Sequence, residues 1–255
     1  MGTAEFSMPG EVVLVTGGRQ GIGKAIALAV AEAGADVAIC DVVSEDGELQ
    51  AVAKQIERLG RHSLAIHADT SKKTDVDDMV QRVMHEFGRI DVLVNNAGIA
   101  IRKPLMDTTE NDWDKLMSID IKGYYLCAQA VARRMIEQRR GAMINVASQY
   151  AFRVTPGMGL YAVAKAGVAM LTRALAQELG KFGIRVNAIA PGMVRTEFAR
   201  YRWGDPQFIQ KFEAAVPLGR IADPTDLTGV VLFLASRASE FVTGQIISVD
   251  GGEGI

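Results

Sequence analysis

Val12-Val13-Leu14-Val15-Thr16-Gly17-Gly18-Arg19-Gln20-Gly21-Ile22-Gly23 is an apolar run closed by a glycine-rich turn, after which Ile22, Ile26 and Val30 recur at helical spacing as far as Gly34. Such a run reads as a buried strand, the period that follows as a helix, and the glycine as its stop. Strand, turn and helix in this order bring the bare backbone N–H groups of Gly17, Gly21 and Gly23 and the positive end of a helix dipole to one point, which suits a pyrophosphate. The spacing is not the common G-x-G-x-x-G, and glycine turns also occur merely to let helices pack, so the nucleotide reading needs further residues.

Outward from this unit the pattern repeats. Asp36–Cys40 reads as a second strand, Ser44–Leu59 as a helix ended by Gly60, and Leu64–Ala68 as a third strand. Thr74 with Asp77 forms a capping signature for a helix carrying Val76, Met79, Val80, Val83 and Phe87 up to Gly88, and Ile90–Val94 follows as a strand. Thr109 with Asp112 opens a long helix through Tyr124 to Gln138; after it come strand Ala142–Ala147, a helix carrying Tyr161 to Phe182, and strands Ile184–Ala190 and Gln245–Val249. Nearly continuous apolar strands alternating with helices predict a doubly wound α/β fold, a seven-stranded parallel Rossmann sheet with helices on both faces. No linker, repeat or low-complexity stretch divides the chain, so residues 1–255 read as a single catalytic domain. Residues 1–9 read as a tail of which the first seven need not be native, and the long connection from Pro191 to Pro217 as the place for a substrate loop or lid over 193–217.

The 28 basic and 30 acidic residues nearly cancel, which leaves no broad basic field for nucleic acid or anionic lipid and favours a small-molecule partner. Cys40 and Cys127 have neither pairing nor ligand spacing, as in a reducing compartment. His62, His67 and His85 offer no ligand pair, so no protein-held metal is expected. No apolar run approaches a membrane span and no secretory stretch opens the chain, which predicts a cytoplasmic protein.

Two further groups carry chemistry. Asp41 ends the second strand, where a carboxylate accepts hydrogen bonds from an adenosine ribose and repels a 2'-phosphate; it favours NAD over NADP, while Arg19 in the glycine turn argues the other way. Tyr161 and Lys165 stand at i and i+4 on one helix and share a face, downstream of Ser148. An ammonium beside a phenol lowers the phenol's pKa and makes it a usable base.

In Thr16-Gly17-x-x-x-Gly21-Ile22-Gly23, Asn95-Asn96-Ala97-Gly98, Ser148 with Tyr161-x-x-x-Lys165, and Pro191-Gly192, taken in this order over essentially its whole length, the sequence resembles the short-chain dehydrogenase/reductase family. The resemblance implies a hydride passed between nicotinamide and a carbonyl or alcohol carbon, with Tyr161 exchanging the proton on oxygen, Ser148 polarising that oxygen, and Lys165 holding the nicotinamide ribose. It assigns Gly17, Arg19, Gln20, Gly21, Ile22 and Gly23 to the phosphate turn, and Asp69 and Thr70 to the adenine side. Asn95, Ala97 and Gly98 fall beside the ribose, while Pro191, Gly192, Val194 and Thr196 meet the carboxamide and phosphates.

One departure matters: in Asp120-Ile121-Lys122-Gly123 an aspartate stands where the family usually has the asparagine of its proton relay. A carboxylate cannot donate, and an ionised Asp120 is expected to disfavour phenolate; an aspartate turned toward Lys165 or solvent with little effect is the alternative. The substrate pocket is expected among Gln149, Tyr150, Ile99–Lys103 and Met193–Phe212. Gln149, Arg153, Arg195 and Arg200 suit hydroxyls or an anion, and Tyr150, Phe198, Tyr201, Trp203, Phe208 and Phe212 an apolar body. Similarity to sugar and polyol dehydrogenases, gluconate reductases and 3-oxoacyl carrier-protein reductases, together with Asp41, points to oxidation of a polyol, sugar or sugar acid. The alternatives are NADPH-dependent 3-oxoacyl thioester reduction or a dinucleotide sensor without turnover. Family members form tetramers through the two long helices, on which Leu126, Val131, Val168 and Leu171 are either interface or core.

Overall fold

Alternation with period two sends Val13 and Val15 of β1 (Val12–Thr16) to one face of a sheet and Val12 and Leu14 to the other. In the computed structural model, which describes residues 6–255, β1 lies between β2 (Asp36–Asp41) and β4 (Val92–Asn95). With β3 (Ser63–His67), β5 (Gly141–Val146), β6 (Ile184–Pro191) and β7 (Ile246–Val249) they form one seven-stranded parallel sheet in the order β3-β2-β1-β4-β5-β6-β7. The strand order therefore reverses between β1 and β4, which opens a crevice at their carboxyl ends.

Both faces are covered. On one, α1 (Gly21–Glu32), α2 (Glu48–Arg58) and α9 (Thr228–Ala235) pack Ile26, Val30, Val52, Ile56 and Leu234 against Val13, Val15 and Ile39. On the other, α3 (Lys73–Phe87), α5 (Tyr124–Gln138) and α6 (Gly159–Leu179) bring Met79, Val83, Val131, Met135 and Leu179 against Leu14, Cys40 and Leu93. The helices announce these faces in sequence: Leu49, Val52, Ala53 and Ile56 of α2 all fall on one stripe and are buried. Each fully buried side chain of this size contributes about 1.5–3 kcal/mol of transfer free energy. Cys40 and Cys127 are free and buried, and burial pushes the Cys40 thiol up to about 12, so it stays a packed, unreactive thiol.

Several elements differ from the sequence reading. Helix α3 starts one residue before Thr74, after Lys72, and Thr74 and Asp77 do not cap it; Asp77 pairs instead with Lys73, while Asp75 in the first turn accepts the backbone N–H of Asp69 at 3.1 Å. Thr109 does form a capping box with Asp112, but the expected long helix is interrupted. Helix α4 (Glu110–Met117) passes into one wide π turn, Ser118–Gly123, before α5 begins. The extra residue rotates Asp120 and Gly123 inward, and both are buried. Helix α2 begins at Glu48 rather than Ser44 because Gly47 adopts a left-handed φ of 77°. The connection after Pro191 carries α7 (Arg200–Trp203) and α8 (Pro206–Ala215), the latter opened by Pro206 with Asp205 accepting the Gln207 N–H at 2.9 Å. Of the expected tail, residues 1–5 lie outside the described residues; Met8 is buried and its N–H donates to the Ala33 carbonyl at 2.7 Å. No helix among the described residues is long and apolar enough to cross a membrane.

Candidate active site

A cavity of about 710 Å³ lies at the carboxyl ends of the strands, at the point where the order reverses. Its floor comes from the turn after β1, where Gly17, Arg19, Gln20, Gly21 and Ile22 line it. Helix α1 enters there with no side-chain cap on its N-terminal backbone and no acidic residue in its first turn, so its N–H donors are left for an anion. That arrangement fits the pyrophosphate of a dinucleotide. Gly23 does not line the cavity: a Cβ there would stand 2.1 Å from the Gly17 carbonyl oxygen, so this glycine lets the helix close onto the turn. Asp69 and Thr70 after β3, Ala97 and Gly98 after β4, and Pro191, Gly192, Val194 and Thr196 at and after β6 complete the wall.

Asn95 is elsewhere. It is buried inside the sheet, where its Nδ2 donates to Asn145 Oδ1 at 3.0 Å and the Tyr124 carbonyl at 3.3 Å. Asn145 in turn donates to Thr172 Oγ1 at 2.9 Å, so the two asparagines tie β4 and β5 to α5 and α6 behind the site. The Asp69 carboxylate is engaged in its own turn, accepting from the Ser71 N–H and hydroxyl. Burial pushes that carboxyl up, but the Ser71 hydrogen bonds and Lys72 outweigh it and the net shift is downward. At the end of β2, Asp41 accepts the Val43 N–H at 3.0 Å, and Arg19 reaches past it, with Nε 3.9 Å from Asp41 and Nη1 bonded to Asp46.

Ser148 follows β5 in extended conformation with its Oγ accepting the Tyr150 N–H at 3.3 Å, and Tyr161 and Lys165 present themselves from α6. All three line the cavity and all are buried. The Lys165 Nζ lies 5.5 Å from the centre of the Tyr161 ring, 3.1 Å from Asp120 Oδ2, 3.1 Å from the Val146 carbonyl and 3.3 Å from the Tyr124 hydroxyl. Asp120 is fully buried, and its other oxygen accepts the Ile99 N–H at 2.8 Å. It is turned toward Lys165.

Burial pushes the Asp120 carboxyl up, and Lys165 and the Ile99 N–H offset this only in part, so the net shift is upward. Burial lowers Lys165, but Tyr124, Asp120 and Tyr161 raise it further, so the lysine is an ammonium. For Tyr161 burial raises the phenol, Lys165 lowers it, Asp120 raises it and the Ser148 hydrogen bond lowers it, with a net upward shift. The aspartate thus opposes the lysine at the phenol.

Gln149, Tyr150, Phe198 and Tyr201 also line the cavity, together with the guanidinium groups of Arg102 and Arg202. Arg102 lies 3.9 Å over the Tyr201 ring and donates to the Phe198 carbonyl at 2.7 Å, and Arg202 donates to the Tyr150 hydroxyl at 3.4 Å. Ile99, Met193, Glu197 and Ala199 of the expected segments line the cavity too, whereas Arg153, Arg195, Arg200, Trp203, Phe208 and Phe212 do not. Arg195 pairs with Glu213, Arg200 with Glu197, and Arg153 with Glu253. Trp203 donates to the Thr196 carbonyl, and Phe208 and Phe212 stack on each other. Sequence reasoning missed Tyr124 and Glu253. Tyr124 follows Asp120 by one turn, a spacing that points both at the same neighbour; Glu253 carried no signal. Among the described residues no group of three or more His, Cys, Asp or Glu side chains is placed to hold a metal ion.

A phosphate-ready helix end at the reversal of a parallel sheet, with a buried tyrosine and ammonium beside a serine hydroxyl, defines a dinucleotide-dependent oxidoreductase of the doubly wound class. Residues 17–253 match the family model described as Enoyl-(Acyl carrier protein) reductase. The chain is 39% identical over 248 residues to 2-dehydro-3-deoxy-D-gluconate 5-dehydrogenase of Escherichia coli, covering 97% of this chain and 96% of that protein. It is 40% identical over 241 residues to the 3-oxoacyl-[acyl-carrier-protein] reductase FabG of Staphylococcus epidermidis, covering 94% and 97%. The crystal structure of a gluconate 5-dehydrogenase from Burkholderia cenocepacia, in complex with NADP and tartrate, superposes with a TM-score of 0.93 at 35% identity, covering 98% of this chain and 97% of that one. The chain belongs to the short-chain dehydrogenase/reductase family, whose members pass a hydride between a nicotinamide dinucleotide and an alcohol or carbonyl carbon.

Proposed function

We propose that the protein is a cytoplasmic NAD-dependent dehydrogenase that oxidises a secondary alcohol of a sugar acid or related polyol. The observation that carries the substrate class is the pair Arg102 and Arg202, which line the cavity 3.9 and 5.5 Å from the Tyr201 ring, next to Phe198 and Tyr150, whose rings lie 6.1 and 5.9 Å from that of Tyr161. Two guanidinium groups suit a carboxylate. The sugar-acid relatives and the tartrate of the superposed gluconate 5-dehydrogenase are in keeping with this.

The phosphate turn, Gly17 to Ile22, would hold the pyrophosphate; Asp41 the adenosine ribose; Asp69 and Thr70 the adenine side; Ala97, Gly98 and the segment from Pro191 to Thr196 the nicotinamide half. Bound there, a nicotinamide supplies the hydride acceptor. In the oxidation, Ser148 Oγ donates to the substrate oxygen and Tyr161 Oη takes its proton, while the Lys165 ammonium keeps the phenolate accessible. Asp120 anchors Lys165 from behind. Arg19 bonds Asp46 and lies against Asp41, so its charge is already paired, which supports NAD.

One observation favours the second reading, NADPH-dependent reduction of a 3-oxoacyl thioester: Arg19 still lines the cavity, and the FabG relative is as similar as the sugar-acid enzyme. Initial rates with NAD and NADP on aldonates, polyols and simple secondary alcohols, beside an acetoacetyl thioester with NADPH, separate the two. NAD-dependent turnover of an aldonate or polyol is expected; NADPH-dependent thioester reduction alone reverses the assignment.

Residues 1–255 are taken as one catalytic domain, and the assembly as a homotetramer. Leu126, Val131 and Val168 are core, but Tyr125, Val163 and Met170 of α5 and α6 are exposed and apolar and supply the surface. A monomer in sedimentation at micromolar concentration refutes the tetramer.

A further inference from the structure

An ammonium has three N–H donors and no acceptor. Around Lys165 Nζ stand three oxygens within hydrogen-bonding distance: Asp120 Oδ2 at 3.1 Å, the Val146 carbonyl at 3.1 Å and the Tyr124 hydroxyl at 3.3 Å. The protein thus supplies one acceptor for each donor, although Lys165 lines the cavity beside Tyr161. Tyr124 opens α5 one turn after Asp120, and it is buried behind the cavity wall. Its hydroxyl donates to the same Val146 carbonyl at 2.9 Å, which leaves only its lone pairs for the ammonium. Burial raises that phenol and Lys165 offsets this only in part, so Tyr124 is a neutral hydroxyl.

The three acceptors are not equivalent. Asp120 carries the opposite charge, and the Val146 carbonyl is fixed in β5, which pairs on both sides with β4 and β6. Tyr124 makes the longest of the three contacts and carries no charge. When the lysine turns from it, the hydroxyl keeps its bond to Val146, so little is lost on that side. In the oxidation described above, proton and hydride leave the same C–OH group. A nicotinamide that takes the hydride therefore stands beside Tyr161, and the ribose bonded to it brings hydroxyls to Lys165. We propose that Tyr124 is a positioning residue whose hydroxyl holds the third N–H of Lys165 and yields it to a hydroxyl of the nicotinamide ribose when the dinucleotide binds. The inference rests on the dinucleotide reading of the cavity and holds for either dinucleotide and either direction of reaction. Its consequence is that the ribose replaces a hydrogen bond already made instead of meeting a free donor, which weakens cofactor binding.

The test titrates ADP, ADP-ribose and NADH calorimetrically into the unaltered protein and Tyr124→Phe, with thermal unfolding recorded for each. ADP lacks the second ribose, and ADP-ribose carries it without the nicotinamide. Tyr124→Phe should lower the Kd of ADP-ribose and of NADH about fivefold, the equivalent of one net hydrogen bond, and leave that of ADP unchanged. The same substitution beside Lys165→Met and Asp120→Asn, a background that removes the ammonium without stranding a buried carboxylate, should change none of the three. Tyr124→Leu, which also lacks the hydroxyl, replaces the phenylalanine variant if that one does not fold.

A Kd of ADP-ribose that does not fall relative to that of ADP overturns the proposal, while NADH binding keeps the dinucleotide reading. Tightening that persists in the background without Lys165 overturns it too. No binding of NADH to the unaltered protein refutes the dinucleotide reading and the proposal with it.

Discussion

Replacing Asp120 by asparagine removes a charge from behind the candidate base without changing its shape. The Asp120 Oδ2 to Lys165 Nζ distance is 3.1 Å and the Lys165 Nζ to Tyr161 ring-centre distance is 5.5 Å, so the carboxylate oxygen is at most 8.6 Å (3.1 plus 5.5) from that ring. A unit charge at that range and an effective permittivity of about 20 acts with ~2 kcal/mol, or ~1.4 pH units. The cavity opens to water, which screens part of this, and the expected shift is about one unit. The sign follows from the direction of the effect: ionised Asp120 raises the phenol pKa, so its removal lowers it. Oxidation needs the phenolate, and the limb of the kcat/KM profile that reports Tyr161 should move to lower pH by that amount. The assay is the pH dependence of NAD reduction from pH 6 to 11 for the unaltered and Asp120→Asn enzymes, with Tyr161→Phe to show that the signal depends on the phenol. A limb that stays in place refutes the reasoning and leaves Asp120 a structural anchor for Lys165 and the Ile99 N–H.

Two further expectations use other parts of the molecule. Asp41→Ser should raise the ratio of kcat/KM with NADP to that with NAD by about tenfold or more, because it removes one repelling charge and one of the two carboxylates beside Arg19; steady-state rates with both dinucleotides measure it, and an unchanged ratio refutes the role of Asp41. Asn145→Val removes the acceptor of Asn95 and the donor to Thr172 in the sheet interior. It should cost about 2 kcal/mol and lower Tm by roughly 4–8 °C, and calorimetry showing no loss would mean the network is not under tension from burial.

The sheet and the meeting of Ser148, Tyr161 and Lys165 in one cavity were legible because their signals are local and periodic. Val12 to Gly23 states strand, turn and helix within a dozen residues, and Tyr161 with Lys165 states a shared helical face. What was not legible depends on partners far along the chain. Asn95 looks like a cavity residue in its motif, yet Asn145, which sequence leaves fifty positions away, draws it into the interior. Gly23 looks like a phosphate contact, yet a Cβ 2.1 Å from the Gly17 carbonyl shows its task to be close packing. Thr74 and Asp77 match a capping pattern, but Asp75 had the better-placed backbone donor in Asp69. Helix α8 of the 193–217 connection carries its signal in Asp205-Pro206, a cap followed by a proline, but its Phe208 and Phe212 stack on each other and show no core-facing stripe.

The π turn at Ser118–Gly123 shows why one residue type matters so much at this site. An uninterrupted helix from Glu110 to Gln138 would carry its 3.6-residue period past position 120, and the wide turn instead delivers Asp120 to the interior against Lys165. Space for it is made on the opposite strand end: a Cβ on Gly98 would stand 3.0 Å from Asp120 Oδ2. The backbone irregularity, the glycine and the lysine are therefore mutually dependent. An asparagine fits the same space and still accepts the Ile99 N–H, but it presents either a carbonyl or an NH2 group to an ammonium that only donates. The carboxylate avoids that choice and orients Lys165 more firmly, while its charge raises the phenol pKa. Under the proposed mechanism this arrangement would raise the pH needed for oxidation and cost little in the reductive direction, where a protonated Tyr161 is the form required.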